Sequence, residues 1–212
     1  VNMRAFSSSG TWQPPAGVTR VLVEVWGGGG GGGYGVSGVG GSGGGGGGYA
    51  KVTVTVSSSN TYDIQVGGQG TSNMSAAGGA GGQSYFKLGG TFYGWANGGN
   101  GGPITGGNAA GGNAGFSSVI EGYTADGMMS RYTSTLYYAP GCYAYLGSDG
   151  GGAGHGAEGG MAAGPWQSWS VSNGTNGGTP GGGGGGGTYN AGACIGGFDN
   201  GSYGGWGGRG AV

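Results

Sequence analysis

Charge is scarce in this chain: 6% of its 212 residues are charged, with 6 Lys+Arg against 7 Asp+Glu. A nucleic-acid binder needs a basic face to neutralise phosphates, so that partner is excluded. No apolar run is long enough to cross a bilayer, and no signal-peptide pattern opens the sequence, so membrane insertion is not expected. The single histidine and few carboxylates leave little for acid–base or metal chemistry. No enzyme, cofactor or metal is expected. A Gly-X-Y register rich in proline is missing, which excludes collagen. Helical periodicity with caps is missing too, and almost no α-helix is predicted.

Glycine is what the chain has instead, at 69 residues, together with 6 Trp, 13 Tyr and 5 Phe. So much glycine alone would suggest disorder, but disordered tracts are poor in aromatics. An ordered structure must offset the entropy lost when glycine is fixed.

Glycine-poor stretches mark the strands. In Val18–Trp26, Val21, Val23 and Val25 alternate with Leu22, Glu24 and Trp26. Tyr49–Val56 puts Val52, Val54 and Val56 on one face and Lys51, Thr53 and Thr55 on the other. Tyr62–Val66 follows the Ser57–Asn60 turn, and Met3–Ser7 is a candidate short strand before Pro14-Pro15. Period two, β-branched residues and Ser/Asn/Gly boundaries agree. They predict a small antiparallel sheet.

The glycine runs predict a second kind of structure. Polyglycine II is an extended left-handed helix with three residues per turn and about 3.1 Å rise, like polyproline II. It has no internal hydrogen bonds, so its N–H and C=O groups must pair sideways. Glycine is required wherever two such helices touch. Gly27–Gly33, Gly43–Gly48 and Gly181–Gly187 are long enough to be surrounded, whereas 78–82 and 98–102 carry a side chain every third residue and suit an edge. The predicted organisation is a strand module at 1–66 with an inserted glycine run at 27–48. A polyglycine II bundle at 67–212 follows, with an aromatic loop at 116–149. The fold class is mostly irregular and β.

At this point the residues resemble a known family. Phe6-Ser-Ser-Ser-Gly-Thr-Trp-Gln-Pro-Pro-Ala-Gly-Val-Thr-Arg-Val-Leu-Val-Glu-Val-Trp26 followed by seven glycines is similar to the glycine-rich domain of tailed-phage tail-fibre proteins. The blocks Tyr49–Val56, Tyr62–Gly68 and Gly81-Gly-Gln-Ser-Tyr-Phe86 continue the likeness over about 1–102. The resemblance implies a polyglycine II bundle displaying variable loops that bind a bacterial surface. It therefore implies a virion tail-fibre or otherwise extracellular location. The family usually closes with a hydrophobic strand and sits on a shaft; here the last residues are Gly210-Ala-Val212.

Function is expected on the 116–149 segment, which is long and glycine-poor. Its Tyr123, Tyr132, Tyr137, Tyr138, Tyr143 and Tyr145, with Trp166 and Trp169, are the expected receptor-binding residues. Tyrosine among Ser, Gly and Asn supplies rigid amphipathic contact area. The same rings also suit a local core roofing the bundle ends. Cys142 and Cys194 are compatible with a disulfide pinning this segment or with two free thiols. His155 between Asp149 and Glu158 reads as a solvated edge rather than a metal site. The many G-x-G-x-x-G matches carry no weight without a strand-to-helix context.

The leading functional expectation is a non-enzymatic adhesin recognising a bacterial surface protein or glycan. The alternative is a self-assembling subunit of an extracellular filament, and an ice-binding face is a third reading. The alternative rests on the chain ends. Gly210–Val212 reads as too short to pair along Val18–Trp26 or Val52–Val56, and Val1–Phe6 reads as a strand donated to another copy.

Overall fold

Alternating valines set the centre of the fold. In the computed structural model, residues 2–36, 39–73, 75–130, 147–162, 173–186 and 204–212 are described, together with the backbone of strands at 136–139, 142–145, 189–192 and 200–201. The described residues are all β and irregular, with no helix.

Strand β1 is Gly10–Trp12, β2 is Arg20–Trp26, β3 is Tyr49–Thr55 and β4 is Tyr62–Gln65. Then come β5 at Ser84–Leu88, β6 at Thr91–Ala96, β7 at Ala114–Phe116 and β8 at Glu121–Ala125. β2, β3 and β8 form one antiparallel sheet, with Val21 opposite Val54 and Val23 opposite Val52. β1, β4, β5, β6 and β7 form a second, in that spatial order. The sheets face each other across Val25, Val52, Val54, Ile64, Phe86 and Ala96, all buried. Gly94 of β6 faces Val52 and Val25 of the first sheet, and a Cβ there would stand 3.2 Å from a Val52 methyl, closer than ordinary contact. Trp12, Tyr62, Phe86 and Tyr93 add a ring cluster, in which Tyr62 and Phe86 stack at 5.0 Å. Gly89, at φ 55° in the left-handed region, makes the tight β5–β6 turn that a β-branched residue would resist.

The expected small sheet is therefore two sheets. The strands that the periodicity missed carry aromatics and small residues rather than alternating valines. The short strand expected at Met3–Ser7 is replaced by β1 at Gly10–Trp12. Nor does a boundary at 66 separate strand from glycine: β4 before it pairs with β5 after it.

Glycine segments stack beside the sandwich in a regular way. In the run 27–33, seven consecutive amides donate at 2.8–2.9 Å. Gly27, Gly30 and Gly33 donate to Gly48, Gly45 and Ser42; Gly28 and Gly31 to Gly82 and Gly79; Gly29 and Gly32 to Gly208 and Gly205. Every third amide thus serves the same neighbour, and each neighbour runs antiparallel. Carbonyls of the run accept from three further segments, through Gly99, Gly70 and Gly184. The whole run is buried, as are residues 43–48 and 181–186. A Cβ on Gly31 would collide with the Thr71 carbonyl, and one on Gly46 with that of Gly152. Buried backbone here is satisfied by backbone, as burial demands.

The chain ends correct one expectation. Trp26 and Ala211 exchange backbone hydrogen bonds as an antiparallel bridge, and Phe6 and Val212 do the same. The C-terminal residues are long enough to reach the end of β2 because the glycine segment before them, at 204–208, carries them there. Phe6 is thereby paired within its own chain, and it packs against the core.

Candidate functional site

Hydrogen-bond registers fix which parts of the chain lie at which end of the glycine stack. β2 leads into Gly27, so Gly27 marks the sandwich end and Gly33 the far end. Gly48, just before β3, bonds at the sandwich end, and Ser42 at the far end. Asn113 lies beside the start of β7, so Ala109, which accepts from the Ser130 amide, lies toward the far end. Ser148 donates to Gly41 and Gly186 to Ser148, both far-end contacts. Thr175 donates to Met161 and accepts from Gly185, again at the far end.

The described residues that flank three segments of the sequence, Ser130 and Ser148, Met161 and Thr175, and Gly186 and Gly204, all lie at this far end, opposite to the paired residues Phe6 and Val212.

The expected receptor-binding residues, Tyr123 aside, fall in these three segments of the sequence. Tyr132, Trp166, Trp169 and Cys194 lie outside the described residues, and with Cys194 so does the pairing of the two cysteines. Tyr137 and Tyr138 are on β9 (Leu136–Ala139), and Cys142, Tyr143 and Tyr145 on β10 (Cys142–Tyr145). β11 (Tyr189–Gly192) and β12 (Asn200–Gly201) complete a four-stranded antiparallel sheet in the order β12-β11-β10-β9. Strands of the first and third segments are thus paired with each other. Tyr143 is opposite Tyr138, and Tyr145 is opposite Leu136 on one side and Tyr189 on the other. Cross-strand partners and i, i+2 neighbours share a face. Register positions 138, 143, 145 and 189 therefore fall on one face, and Tyr137 falls on the other with Cys142. Tyr189 was missed by the sequence reading, because it follows a glycine run and only strand register links it to Tyr145.

Tyr123 belongs elsewhere. It sits on β8 in the three-stranded sheet of the sandwich, opposite Lys51, and is 59% exposed. Gly122 beside it holds β8 close to the second sheet, since the ring of Phe116 covers the space a Cβ would take. On the outer face of this sheet, Tyr49 donates its hydroxyl to Glu24 Oε1, and Lys51 Nζ stands 3.8 Å from the same oxygen. Burial raises the Tyr49 phenol well above its usual range, and the hydrogen bond to Glu24, its charge and Tyr123 add to the rise. The His155 ring stacks on Tyr49 at 4.9 Å, and its carbonyl accepts from Trp26 Nε1 at 2.9 Å. His155 is solvent-exposed yet fastens a turn of the glycine stack to the sheet. Asp149 lies toward the far end, where its Oδ1 accepts from the Ala162 amide, so it does not converge with His155. Among the described residues no group of three metal-ligating side chains occurs.

Leu22, Lys51, Thr53, Glu121, Gly122 and Tyr123 line an open groove of about 220 Å³ on this outer face. Thr53 Oγ1 donates to Glu121 Oε1 at 3.1 Å across it.

A search of curated proteins gives no match. A family model described as a glycine-rich domain matches residues 5–212, spanning both the sandwich and the glycine segments. The chain belongs to this glycine-rich domain family.

Proposed function

We propose that the chain is a non-enzymatic receptor-binding adhesin of the tail-fibre-tip kind, in which polyglycine II helices hold a tyrosine-rich end toward a bacterial surface. The observation that carries this reading is the polarity of the molecule. Phe6 and Val212 pair at the sandwich, and the described residues flanking the three aromatic segments lie at the opposite end. Hydrogen bonds repeating every third residue support the polyglycine II geometry, which has three residues per turn. The shared face of Tyr138, Tyr143, Tyr145 and Tyr189 is chemistry suited to a protein epitope or a glycan. The location that goes with it is extracellular, on a virion tail fibre.

The filament alternative relied on residues 1–6 being free to join another copy and on residues 210–212 being too short to pair. With Phe6 and Trp26 paired to Val212 and Ala211, no contact at the chain ends favours it over the adhesin.

Fluorescently labelled protein, tested for adsorption to a panel of Gram-negative and Gram-positive cells, tests the proposal. Tyr138→Ala with Tyr143→Ala should abolish adsorption and leave the melting temperature nearly unchanged. Adsorption that survives this double variant, or that is absent from the whole panel, would count against it.

A further inference from the structure

A glycine after an asparagine is a chemically weak step, and the glycine segments contain several. With no Cβ on the following residue, its backbone nitrogen can reach the side-chain carbonyl carbon of the asparagine. A fold opposes that attack in two ways: it bonds the glycine N–H, or it bonds the side-chain amide and so holds it elsewhere. Asn176-Gly177, Asp126-Gly127 and Asp149-Gly150 are protected in the first way. The Gly177, Gly127 and Gly150 amides donate at 2.8 Å to Trp206, Gly112 and Gly160. In the segment 97–102, Asn97 and Asn100 donate to Asn113 and Ala110, and Gly99 and Gly102 to Gly28 and Gly31. The remaining amides of this three-residue repeat, those of Gly98 and Gly101, donate to nothing among the described residues. Asn97, before the first of them, is protected in the second way: its Oδ1 accepts from Gln83 Nε2 and its Nδ2 donates to Asn113 Oδ1, both at 2.8 Å. Asn100 is exposed, and its side chain makes no hydrogen bond among the described residues.

We infer that Asn100 is a self-modification site, at which the chain converts asparagine to isoaspartate and aspartate without an enzyme. The Gly101 nitrogen, its proton lost to hydroxide, bonds to Asn100 Cγ, and the side-chain nitrogen leaves as ammonia. Water then opens the resulting succinimide at either carbonyl. Opening at Cγ gives aspartate; opening at the main-chain carbonyl gives isoaspartate, in which the chain runs through Cγ. The attack requires Asn100 to turn out of its extended conformation. Its segment ends close by, at the bend 104–106, where Gly106 and Gly107 have φ of 75° and 124°, and opening costs least near such an end. The product reaches the interior of the stack. The Asn100 carbonyl accepts from Gly45, and Gly102 donates to Gly31 and accepts from Gly78. Isoaspartate turns that carbonyl into a carboxylate and adds a backbone carbon before Gly102, which breaks the three-residue register.

Incubation of the folded chain in mildly alkaline buffer, followed by tryptic digestion and tandem mass spectrometry, tests the inference. The peptide 88–131 follows Lys87 and ends at Arg131, so it carries Asn97 and Asn100 together. Electron-transfer fragmentation distinguishes isoaspartate from aspartate at each. In the folded protein, conversion at Asn100 should outpace that at Asn97 by about tenfold or more, and in urea the two should convert at similar rates. Gln83→Ala, which frees Asn97 Oδ1, should speed conversion at Asn97 and leave Asn100 unchanged. An Asn100 that stays intact in the folded protein, or that converts no faster than Asn97, would overturn the inference.

Discussion

The sandwich and the glycine stack solve the same problem with opposite means. In the sandwich, side chains fill the space between two sheets, and Val25, Val52, Val54 and Phe86 are almost wholly removed from water. In the stack, backbones fill the space themselves, and the interior consists of amides and carbonyls bonded to those of adjacent segments. Apolar transfer stabilises the first. The second gains from satisfied hydrogen bonds, dispersion and weak Cα–H···O contacts, each small and many in number. The two regions should therefore respond in opposite ways to a change in side-chain size: the sandwich fails when a group is removed and the stack fails when one is added.

The largest effect expected in the sandwich is that of Phe86→Ala. Phe86 is 2% exposed and stacks on Tyr62, so the variant should lose about 3–5 kcal/mol in urea unfolding. A loss under about 1 kcal/mol would mean that the glycine stack alone holds the molecule together.

Tyr49 lies where the two regions meet, under His155. Tyr49→Phe removes the hydroxyl that Glu24 accepts and should cost about 1.5 kcal/mol, as for hydrogen bonds to charged groups. The sign of its pH dependence follows from the raised phenol: the folded state keeps the proton where the unfolded chain releases it. Stability from this group is full below the ordinary phenol value of about 10 and declines as pH rises beyond it. Alkaline unfolding of the wild type should be steeper than that of Tyr49→Phe. Parallel curves would remove Tyr49 from the account.

Buried serines give the smallest and finest contrast. Ser148 Oγ accepts from the Gly43 amide and Ser130 Oγ from the Ala109 amide, each replacing a backbone carbonyl. Ser42 Oγ is buried with no hydrogen-bond partner among the described residues. Ser148→Ala should cost about 1 kcal/mol and Ser42→Ala should stabilise by a similar amount, since an unmade bond costs more than a missing group. Opposite shifts in melting temperature are expected from one substitution at two sites.

How much of this was legible in the sequence follows from the same comparison. Alternation revealed β2, β3 and β4 because each buries one face, and Val23, Val52 and Val54 are where the period put them. It did not reveal β6 or β8. Gly94 and Gly122 occupy their inward positions for closeness of approach, and a period count reads glycine as a gap. The long glycine runs were legible as mutual neighbours, because their amides, once buried, have only other backbone to pair with. Which run bonds to which was not legible, since identical residues carry no register. Tyr123 was grouped with the other tyrosines by proximity in sequence, and only strand pairing at β3 separates it from them.

The central claim is that backbone contact excludes side chains from the glycine stack, and one pair of adjacent positions tests it directly. A Cβ on Gly28 would collide with the Gly68 carbonyl, whereas a Cβ on Gly68 meets nothing within 4 Å. Thermal unfolding of Gly28→Ala and Gly68→Ala against wild type isolates the contact, since both exchanges remove the same backbone freedom from the unfolded chain. Gly28→Ala should lose at least about 3 kcal/mol, the upper part of the overpacking range, while Gly68→Ala stays within about 0.5 kcal/mol of wild type. Equal melting temperatures for the two variants would contradict the account.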